Sequence, residues 1–290
     1  MARIEKLVVV GVGLIGGSFA LALKAAGAVG RVIGVGRGAG NIARALDLKI
    51  IDAAGALDAA TLAEAGLALL SVPVGQMPSV MRSLAPLLGG RTVVTDAGST
   101  KQDVIELARR ELGGSLARFV PGHPIAGTEK SGAEAAFAGL YRERKVVLTP
   151  LAENEQGAVA LVRGAWELCG ARVFEMRPDE HDAVLASVSH LPHVLAYALV
   201  DLVAGHKNAK QLFSFAAGGF RDFTRIASSS PEMWRDICLA NRKALLAELD
   251  RYRGGLDEIR AIIGRGDAKA LDALFTRSRD ARERWLKDAQ

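Results

Sequence analysis

Gly11-x-Gly13-x-x-Gly16 follows directly on the apolar run Leu7-Val8-Val9-Val10, and this turn near the start of the chain limits the folds open to the rest. A short β-branched run, a glycine turn and then a helical pattern from Ser18 are the strand, turn and helix that open a dinucleotide-binding fold. Each glycine has its own task. Gly11 permits the tight turn, Gly13 lets backbone approach a pyrophosphate without a Cβ in the way, and Gly16 lets the helix lie close to the strand. With Leu14 and Ile15 between them, these residues are the first candidate cofactor contacts. The helix start adds N–H groups and a positive dipole end. The plain alternative is a glycine-rich strand-to-helix turn without a ligand.

The 290 residues allow one or two domains. Half of them are hydrophobic and only 5% aromatic, which suits helices packed on a parallel sheet. The net charge of +5 comes without a Lys/Arg block interleaved with aromatics, so the expected partner is an anionic small molecule and not nucleic acid. Cys169 and Cys238 stand alone, with neither metal nor disulfide spacing, which implies a reducing, cytoplasmic setting and no metal site. Arg3, Glu5 and Lys6 lead into a strand and not into a signal peptide. No apolar stretch is read as reaching the roughly 18 residues of a membrane span.

Strand patterns fall at Lys6–Val10, Arg31–Val35, Leu67–Val72, Thr92–Thr95, Phe119–Pro121, Lys145–Thr149 and Arg172–Glu175. Helical patterns separate most of them, among them Ser18–Ala26, Gln76–Leu88 and Lys101–Leu112, and Ala53–Ala68 reads as loop and short helix. This alternation predicts a doubly wound, Rossmann-type parallel α/β sheet over residues 1–176. Beyond Pro178 the patterns are almost all helical, which predicts an all-α domain over residues 177–290. The apolar helix around Leu191–Val203 suits either that domain's own core or a subunit interface.

Six further segments carry chemistry. The strand Val32–Val35 runs into Gly36-Arg37, where a carboxylate would favour NAD; the cation favours the 2′-phosphate of NADP over NAD. Ser71 and Pro73 end a strand where a nicotinamide would lie. Ser99, in Asp96-Ala97-Gly98-Ser99-Thr100-Lys101, is either a helix cap or a cleft hydroxyl. His123, between Gly122 and Pro124, is read as held in a stiff turn, with imidazole the usual acid or base near neutral pH. In the helical half, Ser189-His190-Leu191-Pro192-His193 offers two histidines, each able to serve as a structural residue. Gly218-Gly219-Phe220-Arg221-Asp222-Phe223-Thr224-Arg225 offers a carboxylate-binding turn through Arg221 and Arg225, or a solvated helix start.

Taken in order from Leu7 to Ile237, these motifs resemble the prephenate/arogenate dehydrogenase family of tyrosine biosynthesis: Gly-Leu-Ile-Gly-Gly-Ser, Asp96-x-Gly98-Ser99-x-Lys101, Gly122-His123-Pro124-Ile125-Ala126-Gly127, Ser189-His190-Leu191-Pro192-His193, and Phe220-Arg221-Asp222-x-Thr224-Arg225-Ile226-Ala227 with Trp234. The resemblance implies a nucleotide domain followed by a helical dimerisation domain, hence a homodimer. It implies that His123 accepts a hydrogen bond from the ring C4 hydroxyl while C4 gives up hydride. Ser99 then helps hold that hydroxyl and the histidine, and Arg225 binds a substrate carboxylate. His193 and His190 fall in the substrate-side histidine motif, and Thr128 and Glu129 lie near the substrate side chain. Many members carry an acidic residue where Gly36 stands, so NAD preference is not inherited. A fused mutase or regulatory domain is not expected, and tyrosine feedback would act at the active site itself.

Two other readings compete. A β-hydroxyacid or imine reductase of the same plan usually places a lysine on an interdomain helix, and no lysine lies between Asp179 and Leu202. A nonenzymatic NAD(P)-sensing module would keep the glycine turn and lose His123, Ser99 and Arg225.

Overall fold

Strand β1 (Ile4–Val10) is buried on both faces, and its alternate side chains feed two separate cores. Leu7 and Val9 join Phe19, Leu23 and Trp166 on one side. Val8 and Val10 join Met77, Met81, Leu84 and Leu107 on the other. An apolar run that alternates between two cores is the mark of a central strand in a parallel sheet with helices on both faces.

The structure is a computed structural model that describes residues 3–128 and 130–288. The chain forms two compact units, residues 1–242 and 243–290. In the first, β1 is followed by α1 (Leu14–Ala25), β2 (Val29–Val35), α2 (Ala39–Asp47), β3 (Ala53–Gly55), α3 (Ala59–Leu62), β4 (Leu67–Leu70), α4 (Met77–Leu84), β5 (Val93–Asp96), α5 (Gln102–Glu111) and β6 (Phe119–Val120). These strands form one six-stranded sheet in the order β3-β2-β1-β4-β5-β6, parallel throughout. The order reverses between β1 and β4, and ligands of such sheets bind outside the carboxyl ends of the strands at that switch.

The chain then leaves this sheet. β7 (Gly122–Pro124) pairs antiparallel with β8 (Lys145–Leu148), and after α6 (Gln156–Leu168) strand β9 (Arg172–Glu175) pairs parallel with β8. This second sheet corrects the expectation of a single parallel one. It also corrects the reading of His123 as a turn residue: His123 lies on β7, opposite Val147. Gly and Pro have poor strand propensity, but β7 is an edge strand, where a missing proline N–H costs no ladder bond. The edge strand β3 went unread because Ala and Gly carry no strand signal.

Helices α7 (Pro178–Leu185) and α8 (Leu191–Ala204) are joined without a break by a π-helical turn, Ala186–His190, in which the Leu191 N–H reaches back to the Ala186 carbonyl. The π turn accommodates Pro192, which lies in the first turn of α8 and lacks the N–H a regular helix interior would use. The continuous helix Pro178–Ala204 is therefore long and apolar enough, by length and composition, to cross a membrane, which corrects the expectation that no stretch reaches that length. α9 (Ala209–Ser214), α10 (Gly218–Thr224) and α11 (Pro231–Ala240) follow. α11 sets Trp234 and Ile237 against Val74, just past β4, and so ties the helical segment to the carboxyl edge of the sheet. α12 (Arg242–Gly264) leads into the second unit, which adds α13 (Ala268–Asp288) after a turn at Gly266 (φ +65°) capped by Asp267.

The glycine turn shows why side chains are excluded. Gly11 sits at φ +97°, and a Cβ on Gly16 would stand 2.3 Å from Ser71 Oγ and 2.5 Å from the Gly11 carbonyl oxygen. A Cβ on Gly13 would meet nothing within 4 Å. Gly16→Ala is therefore expected to cost about 1–3 kcal/mol in urea unfolding. Gly13→Ala should unfold at the wild-type midpoint while losing dinucleotide affinity. Equal midpoints for the two variants would contradict this account.

Candidate active site

The carboxyl ends of four neighbouring parallel strands carry the polar residues in spatial order. The glycine turn follows β1, Ser71 follows β4, Gly98–Lys101 follows β5, and His123 comes three residues after β6. At about 4.8 Å per strand, β1 and β6 lie roughly 14 Å apart, so a ligand touching both ends is elongated, as a dinucleotide is.

α1 begins at Leu14, four residues earlier than its apolar pattern suggests, and no side chain caps it. The open space at Gly13 and this uncapped helix start form a cradle that fits a pyrophosphate. Leu14 is buried and Ile15 half-buried. The Ser71 hydroxyl donates to the Gly11 carbonyl at 2.8 Å and locks the turn against β4. Pro73 leads into the turn Val74–Gln76. Gly36 and Arg37 are exposed past the end of β2.

At the other end, His123 is 8% exposed. Its Nδ1 lies 2.8 Å from His181 Nε2, and His181 Nδ1 lies 2.8 Å from Asp182 Oδ1. Asp182 also accepts the backbone N–H groups of Lys101 (2.9 Å) and Gln102 (3.0 Å). Burial would raise the Asp182 carboxyl, but the His181, Gln102 and Lys101 donors outweigh it and hold the carboxyl below its usual range. An ionised Asp182 requires a proton on His181 Nδ1, which leaves His181 Nε2 as an acceptor. The proton between the rings then belongs to His123 Nδ1, and His123 Nε2 is left with a bare lone pair. Burial first, then His181, Lys101 and His190, press the His123 ring well below its usual value, so it is neutral at neutral pH. A neutral ring with a bare Nε2 is a general base.

The helical segment supplies the surroundings. Asn241 Nδ2 donates to the Asp182 carbonyl at 2.7 Å and lies 3.1 Å from His190 Nδ1. His190 is 1% exposed, and burial pushes its ring down to about 4. His193 stacks on Trp234 with centroids 3.6 Å apart and donates from Nδ1 to the Ser189 carbonyl at 2.8 Å. Burial, and to a lesser degree the Arg225 guanidinium, lower the His193 ring, so Arg225 lies within electrostatic reach of it.

His123, His190, His193 and Arg225 thus gather around α7, α8 and α11. Ser99 is half-buried in the turn between Gly98 and Lys101. Arg221 is exposed, 4.0 Å from Asp222, as in the solvated alternative. Thr128 is exposed, with its hydroxyl accepting the Lys130 N–H at 3.2 Å. Glu129 lies outside the described residues. His181, Asp182, Asn241 and the side chain of Lys101 went unread in the sequence. The signal available for the first two was a His-Asp pair just ahead of a break in helical periodicity.

Three buried histidines, His123, His181 and His190, and the half-buried His193, all with lowered values, have a consequence for folding. Each binds more protons unfolded than folded once the pH drops below its usual 6.5. Stability is therefore full above about pH 6.5 and is lost as pH falls toward the folded-state values; His190 alone, with its value about 4, accounts for roughly 3 kcal/mol by pH 4. Urea midpoints at pH 7.5, 6 and 5 should fall in that order, and less steeply in His190→Asn. A flat profile would contradict the burial of these rings.

Comparison with known proteins agrees with this geometry. The family model "Prephenate dehydrogenase, nucleotide-binding domain" matches residues 19–175, and "Prephenate dehydrogenase, dimerization domain" matches residues 177–277. The chain is 38% identical over 281 residues to the prephenate dehydrogenase of Bacillus subtilis, covering 96% of this chain and 76% of that protein. It is 41% identical over 221 residues to the cyclohexadienyl dehydrogenase of Zymomonas mobilis, covering 76% and 75%. The crystal structure of prephenate dehydrogenase from Aquifex aeolicus in complex with hydroxyphenyl propionate and NAD+ superposes with a TM-score of 0.91 at 36% identity, over 97% of this chain and 98% of that one. Fold, polar edge and sequence converge, and the chain belongs to the prephenate dehydrogenase family.

Proposed function

We propose that the chain oxidatively decarboxylates prephenate, arogenate or both, giving 4-hydroxyphenylpyruvate or tyrosine, with NADP preferred over NAD. The observation that carries this reading is the hydrogen-bond chain from Asp182 through His181 to His123 Nδ1 at the carboxyl edge of a dinucleotide-binding sheet, from which a bare Nε2 on His123 follows. The substrate is a cyclohexadienol with a carboxylate on a quaternary ring carbon and a hydroxyl at C4. His123 Nε2 accepts the hydroxyl proton as C4 loses hydride, CO2 leaves from the quaternary carbon, and the proton returns to the new phenol oxygen. Gly11, Gly13, Leu14, Ile15 and Gly16 would hold the cofactor, with Ser71 and Pro73 beside its nicotinamide, and the cofactor would supply the hydride acceptor. Aromatisation drives the reaction, so the protein chiefly aligns and deprotonates.

Ser99 steadies the C4 hydroxyl against His123. Arg225 binds a carboxylate through paired N–H bonds, with His193 and His190 beside it. Thr128, Glu129 and Arg221 complete the substrate side. Arg37 supports the lean to NADP, since a guanidinium at the end of β2 suits a 2′-phosphate. Residues 1–176 form the nucleotide domain and 177–290 the helical domain in this reading. A homodimer through the helical domain is supported by the family description of residues 177–277 and by the uncovered Val188 (68% exposed), Leu202 (68%) and Phe215 (80%). Two free cysteines accord with a cytoplasmic setting.

Purified protein is to be assayed for dinucleotide reduction with prephenate and with arogenate, each with NADP+ and NAD+. Turnover of at least one pair, favouring NADP+, is expected, and no turnover with either substrate would refute the reading. His123→Asn should lower kcat by roughly 10²–10⁴. Because burial holds the His123 ring well below the ordinary histidine value, kcat/KM should stay level through the ordinary histidine range and fall only at lower pH, as Nε2 takes up a proton. Arg37→Asp should weaken NADP+ binding roughly 10–100-fold and spare NAD+. Equal NADP+ affinity in that variant would remove the cofactor preference.

A further inference from the structure

Lys101 is wholly buried and belongs to none of the roles assigned above. Lysine is almost never fully buried, and the desolvation of a buried ion pair makes it weak support for stability alone, so its placement calls for another reason. The Lys101 ammonium is paired with the Asp96 carboxylate and donates to the Gly122 carbonyl at 2.7 Å. The other Asp96 oxygen accepts the Gly122 N–H at 3.0 Å. Both backbone polar groups of Gly122 are thus held by one ion pair, and the next residue is His123. The backbone N–H of Lys101 meanwhile donates to Asp182 Oδ1, the oxygen that orients His181. One residue therefore grips the base through its side chain and the relay through its main chain.

We propose that Lys101, with Asp96, is a positioning residue of the reaction, a clamp that fixes β7 against α7 so that His123 Nδ1 meets His181 Nε2. The inference rests on His123 being the general base. The titratable and charged groups facing the two rings are Asp182 on α7, His190 on the π turn, Asp96 on β5 and Lys101 after it. Lys101 is the fixed cation of that set, and it disfavours a proton on either ring.

Lys101→Met removes the cation and half the clamp, and Asp96→Asn/Lys101→Met removes both charges and leaves no unpaired ion in the core. In Lys101→Met, kcat per folded molecule should fall roughly 10–100-fold with KM changed less than about threefold. The acid limb of kcat/KM should move up by about half to one pH unit. Dinucleotide affinity should stay at the wild-type level, since the glycine turn is untouched. An acid limb that stays in place overturns the inference, whatever happens to kcat. If the single variant does not accumulate as folded protein, the double variant decides: a tenfold or greater loss of kcat supports the clamp, and a smaller loss overturns it. Wild-type protein inactive on both substrates would refute the base reading instead. The clamp is then tested by NMR titration of the histidines in whichever variant folds, where an unmoved His123 overturns it.

Discussion

The hydrogen-bond chain Asp182–His181–His123 is the constraint on which the rest of the site depends. A buried imidazole is useful as a base only if it is neutral and if its free nitrogen lacks a proton. Burial secures the first condition by disfavouring the cation. The second is a question of tautomer, and it is settled two residues away by a carboxylate saturated with donors. Moving the anchoring charge onto Asp182 keeps a carboxylate out of direct contact with His123. A carboxylate bonded directly to that ring would raise its affinity for protons and oppose the neutral state.

The fold brings the parts together from two directions. The parallel sheet delivers the glycine turn, Ser71, the Gly98–Lys101 turn and His123 to one edge. The helical segment delivers His181, Asp182, His190 and His193 from a single continuous helix. In a regular α-helix, Asp182 and His190, eight residues apart, would lie about 80° apart around the axis. The π turn at Ala186–His190 acts as a one-residue insertion and reduces that offset to about 20°, and Asn241 spans the turn, bonding the main-chain carbonyl of Asp182 and lying 3.1 Å from the His190 ring nitrogen. The irregular turn thus accounts for the alignment of four polar residues on one helical face.

Much of this was legible in sequence where local chemistry is strong. The glycine turn, the alternating strands and helices, and His123 between Gly and Pro all carry their meaning within a few residues. What stayed hidden depends on distant partners. β7 has no strand propensity and exists because β8 pairs with it. His181 and Asp182 lie in a segment read only as helical, because the π turn that lines them up breaks the 3.6-residue period used to read faces. Lys101 closes the Asp96-x-Gly98-Ser99-x-Lys101 motif, but its burial against Asp96 and Gly122 follows from how β5 and β7 meet.

The most direct test of the account is the protonation pattern of His123 itself. Nitrogen NMR of protein labelled with ¹⁵N-histidine, recorded at neutral pH, distinguishes the two neutral tautomers and the imidazolium. The account predicts a neutral His123 ring with its proton on Nδ1, a bare Nε2, and a scalar coupling across the hydrogen bond to His181. A proton on Nε2, or a cationic ring, would contradict it.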